Sequence, residues 1–270
     1  MIDILLSTYS GEKYLKEQID SIIHQTYTDW TLIIRDDGSK DNTQNIIRSY
    51  TDRYSNIMQI QSSENIGVIK SFETLLKHSN SDYFMFCDQD DVWLSNKLEL
   101  SIAKIKEMES TTRTDCPIVV HTDLTVVDSN LDTIQPSMFK MFNLKPSLIY
   151  SNINYALLYN AITGCTLIGN RAARNFAIPF PSNISMHDSW LAQSALLNKG
   201  RVGTIYTPTI LYRQHGGNVL GATADTSING RLRKYINDYN FYKVFAGSFA
   251  FIKYFYWKCR FFLKLHICNG

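Results

Sequence analysis

No Cys-x-x-Cys pair occurs in the 270 residues, and the five cysteines (Cys87, Cys116, Cys165, Cys259 and Cys268) are odd in number. Free thiols in a reducing compartment are expected, rather than a disulfide framework or a zinc site. Only 6 prolines and 13 glycines are present, with 19% charged against 44% hydrophobic residues. That balance excludes a collagen, a low-complexity linker and a disordered chain. No uninterrupted apolar stretch is long enough to span a bilayer. The opening Met1–Leu6 lacks a basic segment and reads as a first strand, not a signal peptide. There is no Gly-x-Gly-x-x-Gly, no Walker sequence and no Gly-x-Ser-x-Gly. Dinucleotide cofactors, ATPase chemistry and serine hydrolysis therefore lose support. The net charge of +2 gives no reason to expect nucleic acid as a partner.

Charge is instead unevenly spread. Residues 231–270 hold eight Lys or Arg and a single acid, Asp238, which leaves 19 basic and 24 acidic residues in 1–230. The same tail interleaves those cations with aromatics, among them Tyr235, Tyr239, Phe241, Tyr242, Phe251, Tyr254, Trp257 and Phe261. A segment lying in lipid headgroups has this composition, with aromatics inserted and Lys/Arg toward anionic lipid. The alternative is a helical pair that packs on the body or on another copy.

The first half alternates. Ile2–Ser7, Trp30–Arg35, Ile57–Ile60 and Tyr83–Cys87 are short apolar runs. Between them, Leu15, Ile19, Ile22 and Ile23, then Ile46 and Ile47, then Val68, Phe72, Leu75 and Leu76 recur at helical spacing. Asp41 or Thr43 is placed to cap the second helix. Strict alternation predicts an α/β chain with a mostly parallel sheet covered by helices, and ligands beyond the carboxyl ends of the strands. Three such ends carry unusual chemistry: Ser7-Thr8-Tyr9, Asp36-Asp37-Gly38 and Cys87-Asp88-Gln89-Asp90-Asp91. They are expected to converge on one sheet edge.

The second half is less regular. Ile118–His121, Leu124–Val127, Gly164–Gly169, Val202–Tyr206 and Ile210–Arg213 read as strands, and residues 128–160 as irregular. Asn170 is placed to cap a short helix. His187-Asp188-Ser189-Trp190 opens another, which Gly200 ends in the C′ position.

Three carboxylates in Asp88-Gln89-Asp90-Asp91 repel one another unless a divalent cation sits among them, and oxygen donors suit Mg2+ or Mn2+. The alternative is a solvated loop in which Asp91 or Ser95 caps the next helix; an EF-hand is excluded by spacing. Asp36-Asp37-Gly38-Ser39 is either a carboxylate holding a base or ribose or an ordinary turn. Asp188 is either an N-cap or a general base. His215, in a Gly-rich loop, is either a packing histidine or a metal or phosphate contact.

These residues resemble the family 2 glycosyltransferases of GT-A fold from the bacterial polysaccharide branch. The resemblance rests on Ile4–Gly11, on Gln25–Trp30 leading into Arg35–Thr43, on Asn65-Ile66-Gly67 and on Cys87–Trp93. With Gly164-Cys165-Thr166, His187–Trp190 and Tyr212–His215, it looks most like rhamnosyltransferases that build O-antigen or capsule. It covers about residues 1–220, and Ser10 stands where many members carry Asn. The resemblance implies a nucleotide-sugar-binding half at 1–122, an acceptor-binding half at 123–225 and a membrane-associating tail at 226–270. Ser7, Tyr9, Asp37 and Asp88 would hold the nucleotide sugar. Asp88, Asp90 and His215 would hold Mn2+ or Mg2+, and Asp188 would be the catalytic base. It further implies inverting transfer from dTDP-L-rhamnose, or alternatively a UDP-hexose, to a lipid-linked saccharide at the cytoplasmic face of the membrane, contacted through residues 231–270. A nucleotidyltransferase and a non-catalytic binding subunit are the competing classes.

Overall fold

The structure is a computed structural model that describes residues 1–62, 64–215, 239–240 and 242–267. A sheet of nine strands is its backbone, in the order β3-β2-β1-β4-β8-β6-β9-β5, with β7 pairing off β6. Strands β1 (Ile2–Thr8), β2 (Trp30–Asp36), β3 (Ile57–Ile60) and β4 (Tyr83–Cys87) run parallel to one another. Helices α1 (Leu15–Ile23), α2 (Thr43–Thr51) and α3 (Val68–His78) make the crossovers.

These strands read as continuous apolar runs because both sheet faces are covered. Along β1, Ile2, Ile4 and Leu6 pack with Leu15, Ile19 and Ile22 of α1, while Leu5 faces Phe72, Leu75 and Leu76 of α3. Register aligns Thr8 with Asp36 and Leu6 with Cys87. The three chemically unusual strand ends therefore lie side by side, and the order turns at β1, where doubly wound sheets open a crevice.

The second half departs from the first. β8 (Leu167–Asn170) is antiparallel to both β4 and β6, and β5 (Val92–Trp93) is antiparallel to β9. The whole sheet is therefore mixed, with the parallel part confined to the first half and to the β6–β9 pair. β6 (Ile118–Val127) and β9 (Arg201–Arg213) are each one strand where two were expected. Register shifts between Thr122 and Thr125 take up the extra residues, as bulges do. β6 also crosses the 122/123 boundary, so both halves share one sheet.

Other local expectations are corrected in the same region. Gly164–Thr166 is a 3₁₀ turn before β8. The stretch read as irregular holds β7 (Thr133–Gln135) and three one-turn helices, α5 (Met138–Met141), α6 (Pro146–Ile149) and α7 (Ile153–Ala156). Helix α4 (Lys97–Ser110) is entered through Asn96 rather than capped by Asp91 or Ser95; Gln25 Oε1 instead accepts from the Leu98 N–H at 3.1 Å. Asn42 is the N-cap residue of α2, yet Asp41 does serve that end, accepting from the Thr43 N–H at 3.2 Å. Asn170 caps α8 (Arg171–Ala177) as expected, accepting from the Ala173 N–H at 3.0 Å.

At the end of α9 (His187–Leu197), Lys199 takes the left-handed C′ conformation with φ 58°, not Gly200. Gly200 is the next residue, and its N–H returns to the Ala195 carbonyl at 2.8 Å. Its lack of a side chain is steric: a Cβ there would meet the Pro117 carbonyl oxygen at 2.1 Å.

The C-terminal helix α10 (Ala250–Ile267) has two faces. Tyr254 and Phe261 are buried; Trp257 and Phe261 stand edge-on to Tyr155 at centroid distances of 5.4 and 5.2 Å. The Tyr242 hydroxyl donates to Asn154 Oδ1 at 2.9 Å. Packing on the body is thus real for that face. Phe251, Ile252, Phe255, Tyr256, Phe262 and Leu263 are each at least 50% exposed on the other. No helix among the described residues is long and apolar enough to cross a membrane. Among the cysteines, Cys87, Cys116 and Cys165 are buried free thiols and Cys259 is exposed. Tyr235, Asp238, Phe241, Cys268 and the loop from Gly216 onward lie outside the described residues.

Candidate active site

A cleft of about 1430 Å³ opens at the carboxyl edge of the sheet, lined by Ser7, Tyr9, Asp37, Asp88, Asp90 and Asp188. Six of the seven residues singled out from the sequence thus share one space. The seventh, His215, joins it through Asp90 Oδ2, 2.8 Å from its Nε2.

The floor is held by Gln89, which the sequence reading passed over. Its Oε1 accepts from the Thr8 hydroxyl at 2.5 Å and the Tyr9 N–H at 2.8 Å, and its Nε2 donates to the Tyr9 carbonyl at 3.0 Å. This two-way amide contact sews the turn after β1 to the acidic loop after β4. A Cβ on Gly11 would lie 2.5 Å from Gln89 Oε1 and 2.6 Å from the Thr8 hydroxyl oxygen, so a larger residue there would displace this contact.

Asp36 and Asp37 divide the work of the second strand end. Asp36 builds the turn, accepting from the Ser39 N–H at 3.1 Å and from Gln44 Nε2 at 2.6 Å. Asp37 is a hub: Oδ1 accepts from Arg35 at 2.5 Å and from the Ile66 N–H at 2.8 Å, and Oδ2 from the Gly67 N–H at 2.9 Å. Burial alone would raise the Asp37 carboxyl; the Ile66, Arg35 and Gly67 donors outweigh it and hold the group below its usual range. Gly67, at φ 81°, supplies the backbone turn that aims its N–H at the carboxylate. Asp37→Ala would strand the buried Arg35 guanidinium and two loop N–H groups. Removing one partner of a buried pair costs about 3–5 kcal/mol. A fall of that size in urea unfolding free energy is expected, and a change under 1 kcal/mol would refute the clamp.

The carboxylates of the acidic loop crowd one another. Burial first, then Asp90 and Asp188, push the Asp88 carboxyl up to about 7. Asp91 is fully buried and is pushed well above the usual carboxylate range by burial, Asp90 and Asp88. Donor atoms from Asp88, Asp91 and Cys165, one from each, lie within 4.8 Å of one another. This differs from the expected set of Asp88, Asp90 and His215. Burial and the adjacent carboxylates push the Cys165 thiol up, which keeps it protonated and a poor ligand. The oxygen donors of Asp88 and Asp90, which line the cleft, with the His215 imidazole at Asp90, make a set that suits Mg2+ or Mn2+. A divalent cation would also relieve their mutual repulsion.

Arg213 fixes this arrangement. Its side chain is 2% exposed; its N–H donates to Asp91 Oδ1 at 3.1 Å, its Nε to the Asp90 carbonyl at 2.8 Å and an Nη to the Ser129 carbonyl at 2.7 Å. It also pairs with Glu17 and lies 4.5 Å over the Tyr14 ring, against which His215 packs at 4.9 Å. The end of β9 thereby presents His215 to Asp90.

Asp188 sits in the first turn of α9, whose N-cap residue is Met186, so it is not the cap. Its Oδ1 accepts from the Ser189 N–H. Burial nevertheless pushes its carboxyl up to about 6 against that hydrogen bond. A Cβ on Gly164 would come within 2.8 Å of His187 Nε2 and 3.8 Å of Asp188 Cβ, so a glycine is what lets the 3₁₀ turn close over the start of α9.

The pattern of the family described as Glycosyl transferase family 2 matches residues 3–159. The chain belongs to glycosyltransferase family 2. This glycosyltransferase is 31% identical over 230 residues to a Shigella flexneri protein named dTDP-rhamnosyl transferase RfbG, covering 80% of this chain and 74% of that one. It is 27% identical over 182 residues, 67% of its length, to the Escherichia coli UDP-Glc:alpha-D-GlcNAc-diphosphoundecaprenol beta-1,3-glucosyltransferase WfgD, of which it spans 64%. Its fold matches that of mannosyltransferase PcManGT from Pyrobaculum calidifontis, solved with GDP-Man and Mn2+. The TM-score is 0.59 at 15% identity, over 88% of this chain and 63% of that one. The fold of the glycosyltransferase is accordingly GT-A, and the parallel β3-β2-β1-β4 block with its acidic edge is the part the sequence made legible.

Proposed function

We propose that the protein is an inverting, metal-dependent glycosyltransferase of cell-surface polysaccharide synthesis that takes dTDP-L-rhamnose as donor. The observation that carries the reading is the single cleft that gathers the acidic loop of β4 and Asp188 of α9 from opposite halves of the chain. The relative named for dTDP-rhamnose supports the donor. Its acceptor is a saccharide on a lipid carrier, met at the cytoplasmic face of the membrane; the E. coli relative's name supports this.

Within the cleft, Ser7, Tyr9 and Asp37 hold the nucleotide, with Asp37 also ordering the 66–67 loop against it. Asp88, Asp90 and His215 would hold Mg2+ or Mn2+, which when bound supplies positive charge against the departing diphosphate. Asp188 accepts the proton of the acceptor hydroxyl as that oxygen attacks the anomeric carbon from the face opposite the nucleotide. A carboxyl raised to about 6 is ionised at neutral pH yet more basic than an exposed aspartate, which suits a general base. The exposed aromatic face of α10, together with Lys253, Lys258, Arg260 and Lys264, rests on anionic lipid.

The test is thermal stabilisation by dTDP-rhamnose, UDP-glucose and UDP-galactose, each with Mn2+, Mg2+ or chelator. Ligand at a hundred times its Kd stabilises by about 2.7 kcal/mol. A metal-dependent shift with dTDP-rhamnose alone is expected. A shift with a UDP-sugar instead would replace the donor, and no shift with any of them would favour a binding subunit.

A further inference from the structure

The cleft is larger than one donor requires and changes character along its length. Ligand pockets usually measure about 300–1,000 Å³, against about 1430 Å³ here. Its acidic groups gather at the sheet edge and at Asp188. Elsewhere apolar side chains are prominent in the lining, with Lys145 and Asn160 among them: Leu144, Leu157, Leu158 and Ile162 from the segment around α7, and Phe261 and Leu265 from the inner face of α10. Apolar walls of this kind favour a hydrocarbon guest.

Helix α10 joins this end to the exterior. Its inner face walls the cleft, and its outer face carries exposed aromatics and no acid. Lys145 lines the cleft next to Leu144, and two cations of α10 lie over aromatic rings near it, Lys264 5.8 Å over Tyr155 and Arg260 5.3 Å over Trp257. A molecule that carries an anionic link next to an apolar chain would match cations set beside an apolar wall. We propose that the apolar end of the cleft, between Leu157–Leu158 and Phe261–Leu265, is a subsite for the first carbons of the acceptor's hydrocarbon chain. This rests on the glycosyltransferase reading and adds to it where the chain lies: inside the catalytic cleft and beneath α10, not only on the outer surface.

The test uses the full chain and a series of n-alkyl diphosphates from ethyl to decyl, with inorganic pyrophosphate as the chainless reference, titrated calorimetrically below their micelle concentrations. Each buried methylene is expected to tighten binding about fourfold until the subsite is full. Leu265→Asp should flatten this increment while leaving pyrophosphate and nucleotide-sugar binding as they were; Leu158→Ser is the second variant should the first misfold. The paired substitution Phe251→Ser and Phe255→Ser on the outer face should leave the increment intact. Binding indifferent to chain length would overturn the proposal. So would an increment lost in the outer-face variant but kept in Leu265→Asp. Nucleotide-sugar binding on the same samples reports separately on the parent reading.

Discussion

Asp188→Asn is expected to bind donor with wild-type affinity and to lose about 10²- to 10⁴-fold in kcat, the usual contribution of a general base. The asparagine keeps the shape and one acceptor oxygen for the Ser189 N–H, so the start of α9 should hold. What it loses is the group that takes the proton. In the wild type, kcat/KM should climb with pH and level off above about 6, where the buried Asp188 carboxyl has ionised. That acid limb should vanish from the residual activity of the variant. Turnover within threefold of wild type would remove Asp188 from the reaction. Donor affinity lost together with kcat would make it a binding residue instead.

Asp90→Ala is expected to weaken Mn2+ binding in the absence of nucleotide by at least about 100-fold, above the 10- to 100-fold typical for loss of an outer-sphere partner. The same variant should be more stable than wild type in chelator at neutral pH. The Asp88 carboxyl is raised to about 7 by burial, then by Asp90 and Asp188. A carboxyl whose pKa is raised in the fold binds a proton there that the unfolded chain has released. Its stabilising contribution is complete below about 4 and is lost as pH rises toward 7. Deleting Asp90 removes part of the repulsion behind that loss. Tm in chelator should therefore rise in the variant at pH 7.5 and change little at pH 4. Unchanged Mn2+ affinity would detach Asp90 from the metal, and a lower Tm in chelator would mean that its pairing with His215 outweighs the repulsion. Gain of stability with loss of function is the expected signature of a site whose charges serve a ligand.

The four parallel strands were legible almost to the residue, because strands buried on both faces leave continuous apolar runs. The acidic edge was legible for a related reason: topology alone places consecutive βα turns together. Bulges hid the continuity of β6 and β9, since each interrupts the apolar pattern without ending the pairing. The one-turn helices at residues 138–156 are too short to carry a period. Arg213 appeared only as a neighbour of His215. Its partners Glu17, Asp90 and Ser129 lie 84 to 196 residues away in the chain, a separation no local pattern reports. Gln89 was one polar residue among carboxylates until its amide was seen against Tyr9.

By itself the sequence determined the α/β class, the strand ends that carry carboxylates, the free thiols and the basic aromatic tail, because each follows from residue type and short-range period. Tertiary structure alone decided that Asp188 enters the same cleft as Asp88 and Asp90, that Asp37 is spent on ordering a loop as well as facing the cleft, and that α10 divides into a packed face and an exposed one. Those outcomes depend on burial and on contacts between distant segments. Both a carboxyl's proton affinity and a helix face's partner are set by what the rest of the chain brings beside it.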